Sequence, residues 1–149
     1  MLRSIYSLAL ILACVLAAPA AEPILFKNVK VFDGKSDKLT GPTSVLVVGN
    51  KIAKIGNETG GAEKAIVIDG SGKTLMPGLI DAHVHLAMAS IPISVLLSAD
   101  AGYIHHHAGK EAERTILRGF TSVRDASGPV FGLKRAIDEG LLPGPRVFP

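Results

Sequence analysis

Between Ile24 and Leu75 apolar residues come in short runs broken by Asp, Gly and Asn, and no helical period appears. Ile24 to Phe32 is rich in β-branched and aromatic residues and stops at Asp33-Gly34, which predicts a strand. Thr43 to Val48 and Lys51 to Ile55 flank Gly49-Asn50. This two-residue connection suits a type II′ hairpin, because Gly accepts a positive φ at the first turn position. Ile66 to Ile68 is a further short strand, closed by the turn Asp69-Gly70-Ser71-Gly72. The pattern predicts a small antiparallel sheet module of about 50 residues, marginal if it stands alone.

The rhythm changes after Pro77-Gly78. Leu79 to Val84 reads as a continuous apolar strand with one polar residue, Asp81, and it runs into His85. A helix follows, capped by Ser98 or Asp100 and running to Arg118, with Ile104, Ala108, Ala112 and Ile116 on one face. Gly119 ends it. Phe120 to Val123 is a second buried-type strand ending in Arg124-Asp125, Phe131 to Gly140 a second helix, and Arg146 to Phe148 the start of a third strand. Strand and helix in alternation is the βαβ pattern of a parallel sheet or barrel.

The first 20 residues change the picture of the apolar content. Arg3 supplies a positive start, and Ile5 to Ala18 is a mostly apolar run of 14 residues. Ala18-Pro19-Ala20 follows, with small residues where a signal peptidase reads. The run is shorter than the roughly 20 residues that span a bilayer, so cleavage after Ala20 and export are expected, without stable membrane insertion afterwards. Ile11-Leu12-Ala13-Cys14 loosely matches a lipoprotein cleavage site, but the apolar run continues past Cys14. Simple cleavage would remove the only cysteine. The 16 Lys and Arg are scattered, so the net charge of +3 makes no basic patch for nucleic acid.

His83-Val84-His85 carries the candidate chemistry. Side chains on a strand alternate with period two, so both imidazoles emerge on one side and can converge on one cation. On a helix the same spacing would turn them about 200° apart. Asp81 lies one step earlier on that face, where it could ligate directly or fix a histidine tautomer by accepting its N–H. The carboxyl end of a first barrel strand is also where barrel enzymes place catalysis. The opposing view is that both histidines merely end a buried strand.

The segment Met76-Pro77-Gly78-Leu79-Ile80-Asp81-Ala82-His83-Val84-His85 resembles the signature of the amidohydrolase superfamily. Gly119 to Asp125 is similar to the second barrel strand of the branch that includes imidazolonepropionases and Xaa-Pro dipeptidase-like enzymes, and Gly144 to Val147 is similar to the approach to the third. The resemblance implies an α/β fold: an incomplete TIM-type (β/α)8 barrel over residues 76–149, its first two to three strands, preceded by a small β-sandwich module over 21–75. It implies that His83 and His85 bind one of one or two divalent metals, most often zinc. The remaining ligands, a lysine, two histidines and an aspartate, are expected beyond Pro149. The implied reaction is hydrolysis of a C–N bond in a dipeptide-like or cyclic amide small molecule, in which metal lowers the pKa of a water and polarises the carbonyl.

Three other features carry less. His105-His106-His107 lies on the expected helix, where consecutive side chains diverge by about 100° and cannot share an ion. Arg124 and Asp125 at the mouth of the barrel would contact substrate, support the ligands, or form an ion pair that seals the rim. Asp69 to Gly72 lacks the strand-to-helix context of a phosphate loop. The competing function is an exported non-catalytic binding protein with structural histidines. A zinc-storage module is disfavoured because structural zinc takes four ligands.

Two outcomes are expected. Amino-terminal sequencing of the exported protein should begin at Ala21. The 71 residues from Leu79 onward fall short of the roughly 250 of a closed barrel, so these 149 residues expressed alone should aggregate and hydrolyse no amide; a soluble, active monomer would refute this.

Overall fold

The computed structural model describes residues 22–57 and 62–149. The expected signal segment and Cys14 lie outside the described residues. The chain divides into two compact units, one ending at Met76 and the other spanning Pro77–Pro149.

The first unit is built on β1 (Ile24–Val31), with β2 (Thr43–Val48), β3 (Lys51–Ile55), β4 (Ile66–Asp69) and β5 (Thr74–Leu75). β2 pairs antiparallel with β1 and with β3. The connection between β2 and β3 has φ of 59° at Gly49, and Asn50 is not among the residues with positive φ. A type I′ turn would need both positive, so the geometry is that of the expected II′ hairpin.

The expectation of an antiparallel sheet fails beyond β3. β4 and β5 both run parallel to β1, with Ile24 registered on Ile66 and Val31 on Leu75. The chain leaves the hairpin edge and crosses to the other side of β1, giving the order β3-β2-β1-β4. β1 itself is divided at Asn28, which adopts φ of 57° where the ladder with β2 slips between Phe26 and Val29. Asn is among the few residues that tolerate this left-handed conformation. Leu25, Val29, Val45 and Leu46 are buried, whereas every residue of β3 and β4 is exposed.

The second unit follows the alternating plan. β6 (Leu79–Val84), α1 (Ile93–Leu96), α2 (Ala101–Leu117), β7 (Phe120–Asp125), α3 (Phe131–Asp138) and β8 (Arg146–Phe148) succeed one another, and the strands form a parallel sheet in the order β6-β7-β8. Asp100 rather than Ser98 caps α2: it is extended, and its carboxylate accepts the Tyr103 amide at 3.0 Å. Gly119, at φ of 92°, releases the chain into β7. Ala108 and Ala112 are fully buried, as their spacing required, and join Leu86, Ala87, Val123, Val130, Leu133 and Val147 in one core.

Two details depart from the pattern. Glu111 on α2 is buried, because its carboxylate pairs with Arg118 one turn beyond Thr115, at 2.6 Å. α1 was not expected; a single turn after Pro92 is too short to show a period. A larger departure concerns β6, which reads as a buried strand but is largely exposed, Ile80 to 74%. Among the described residues it is the edge of the three-stranded sheet, with β7 on one flank. Among the described residues no helix is long and apolar enough to cross a membrane.

The entry into β6 is sterically tight. A Cβ at Gly78 would fall 2.1 Å from the side chain of Thr121 on β7. Gly78→Ala is therefore expected to lower stability by about 1–3 kcal/mol. A thermal-unfolding double-mutant cycle with Thr121→Gly should recover much of that loss.

Candidate metal centre

β6 ends at Val84, and its partner β7 ends in register with it, at Asp125. The ladder slips between Asp81 and Val84, so the strand is irregular where the two histidines leave it. Such slips re-aim side chains at the ends of strands. At the same place the Asp81 carboxylate accepts the backbone amide of His83 at 3.1 Å. Val84 turns to the core, and the two histidines flank it.

The structure brings the two imidazoles together. Their Nε2 atoms stand 3.2 Å apart, with the ring centroids separated by 5.0 Å and the ring planes nearly perpendicular. Two nitrogens bound to one tetrahedral zinc at about 2.0–2.1 Å are about 3.3–3.4 Å apart. The donor pair therefore fits a single cation of that size. The same approach also allows one Nε2–H to donate to the other nitrogen, so geometry permits the pair with or without metal.

His85 is held on its other side. Its Nδ1 lies 3.4 Å from the carbonyl oxygen of Ser127, which can only accept. A proton on Nδ1 leaves the lone pair on Nε2, the form a metal requires. The backbone is equally constrained, since the His85 carbonyl accepts the amides of Met88 and Ala89.

Asp81 is bound to backbone in the structure. Its hydrogen bond goes to the His83 amide and not to a ring, and among the described residues no group of three His, Cys, Asp or Glu is arranged to hold a metal. Arg124 and Asp125 part company, because successive strand residues face opposite sides. Arg124 is exposed, whereas Asp125 is buried to 4% exposure. Asp125 accepts the Leu86 amide at 2.8 Å and the Ser127 amide at 3.1 Å. The rim ion pair is not formed among the described residues; Asp125 binds backbone instead.

Sequence reasoning missed Leu86 and Ser127 as parts of the site. Both contribute backbone atoms, which leave no trace in residue type. His105 and His106 line an open groove of about 320 Å³ with Lys110, Glu113 and Leu142, and the His107 ring leans on Tyr103 at 4.5 Å. Helical divergence keeps the three apart, and they form no metal-holding group.

Residues 74–148 match the amidohydrolase family. The chain is 39% identical over 66 residues to a 5-methylthioadenosine/S-adenosylhomocysteine deaminase of Caldanaerobacter subterraneus subsp. tengcongensis, covering 44% of this chain and 15% of the relative. A solved amidohydrolase superposes with a TM-score of 0.74 at 32% identity, over 85% of this chain and 30% of that one. A solved Xaa-Pro dipeptidase with bound methionine in the active site gives 0.71 at 31% identity, over 85% and 32%. The chain thus spans about a sixth of the curated relative and about a third of the solved chains.

Proposed function

This chain belongs to the amidohydrolase family, and from that premise we propose that it forms part of an exported, metal-dependent enzyme that hydrolyses C–N bonds in small, dipeptide-like or cyclic amide substrates. His83 and His85 together hold one divalent metal, with zinc the first candidate, and a second ion is compatible with the same strand end. Residues 21–75 serve as a small β-sandwich module, and 76–149 begin a TIM-type barrel.

The observation that carries this reading is the 3.2 Å separation of the two Nε2 atoms at the carboxyl end of a parallel strand. Relatives act on C–N bonds by their names, a deaminase and a dipeptidase among them, and the family is generally metal-dependent. The Xaa-Pro dipeptidase likeness favours a peptide-like substrate over a nucleoside.

This chain's residues would divide the work as follows. The His83 and His85 nitrogens supply two neutral donors on one side of the cation. Asp81 ties down the His83 backbone at the slip in the ladder, and the Ser127 carbonyl orients His85. Arg124 is exposed and available to a substrate carboxylate. A metal bound there supplies Lewis acidity, which lowers the pKa of a water toward neutrality and polarises an amide carbonyl.

The test is metal analysis of the full-length protein and of single variants. His83→Ala and His85→Ala should each reduce bound metal and lower hydrolysis of Xaa-Pro dipeptides by more than about 100-fold. His106→Ala should leave both unchanged. Full metal content in both ligand variants would refute the assignment and favour structural histidines in a binding protein.

A further inference from the structure

Asp125 is a buried carboxylate without a cation partner among the described residues, 42 positions beyond His83 in the chain and on a different strand. Placing such a group inside a protein costs several kcal/mol unless it is fully hydrogen-bonded. Here the compensation is specific. Oδ2 accepts the amide of Leu86 at 2.8 Å, and Oδ1 accepts the amide of Ser127 at 3.1 Å. One donor is the residue directly after His85. The other belongs to the residue whose carbonyl faces the His85 Nδ1 at 3.4 Å. The Ala126 amide, between them, donates to the Val84 carbonyl at 2.9 Å. The carboxylate therefore fastens the loop after β7 to the loop after β6 on both sides of one imidazole.

We infer that Asp125 is the positioning residue for His85: by gripping the Leu86 and Ser127 amides together, it presents the Ser127 carbonyl to Nδ1, keeps the proton there and leaves the Nε2 lone pair directed toward the partner nitrogen of His83. The inference rests on the metal reading above for its purpose, but the clamp itself can be tested without metal. Nothing in it requires Asp125 to touch the cation or the substrate. Leu86 and Ala87, both fully buried, give the clamp a rigid floor, so a displaced amide has little room to adapt.

Asp125→Asn keeps the shape of the side chain but sets an amide NH2 against one of two backbone N–H donors. In the full-length protein it should raise the dissociation constant for Zn2+, measured by competition with a chelator, by about 10- to 100-fold. A melting temperature that falls while zinc affinity stays within about twofold would make Asp125 a purely structural clamp and overturn the inference. Ser127→Pro removes one of the two donors and retains the carbonyl, while restricting the backbone at 126 and 127; a loss of affinity is expected, and no loss would overturn the clamp. Wild-type protein stripped of metal supplies a readout that needs no variant. Long-range 15N spectra should show the neutral His85 ring protonated on Nδ1, and a proton found on Nε2 would overturn the inference. If wild-type protein binds no zinc, the metal reading fails, and the His85 tautomer still decides the clamp.

Discussion

The parallel pairing of β6 with β7 is the constraint on which the candidate centre depends. It sets the end of one strand beside the end of the other, so Asp125 can reach across to the Leu86 amide. Hydrogen bonds from backbone amides to a carboxylate are each worth about 1.5–3 kcal/mol, more than a neutral pair, and the one from Leu86 is buried. Two histidines on a fraying strand end would otherwise sample many rotamers. With β7 alongside, one of them has a fixed backbone, a fixed neighbour and an acceptor waiting for its Nδ1.

The same pairing explains where the second unit is firm and where it is open. Val123 of β7 and Val147 of β8 are fully buried, in one core with Ala108 and Ala112 of α2 and Leu133 of α3. Small alanines let the helix approach the sheet closely, and Gly78 lets β6 begin against Thr121. Among the described residues β6 has a partner on one flank only, and Leu79 and Ile80 are accessible. The candidate centre lies at the carboxyl ends of β6 and β7, beside this packed interior.

The first unit shows the limits of local reading in another way. The Gly49 turn was legible because a two-residue hairpin imposes its φ on a particular position. The parallel course of β4 and β5 was not. An isolated apolar run such as Ile66 to Ile68 carries no mark of the direction in which it will pair, and the left-handed Asn28 that divides β1 looks like any other polar residue in sequence. The burial of Glu111 on α2 likewise leaves no mark in residue type: its carboxylate accepts from Arg118, and the Thr115 hydroxyl donates to its backbone carbonyl.

What the amino-acid order determined by itself is everything that acts over a few residues: the strand-helix alternation after Pro77, a helix start at Ser98 or Asp100, the glycine stop at Gly119 and the spacing that puts His83 and His85 side by side. These follow from steric and hydrogen-bonding rules local to the backbone. Tertiary structure alone decided that Asp81 would bind a backbone amide at a slip in the ladder, that Asp125 would be buried and Arg124 not, and that Leu86 and Ser127 would matter at all. Those contacts join residues about 40 positions apart or use main-chain atoms common to every residue type. Side-chain identity cannot announce a bond whose donor is the peptide group, and only the pairing of two strands brings that donor within reach.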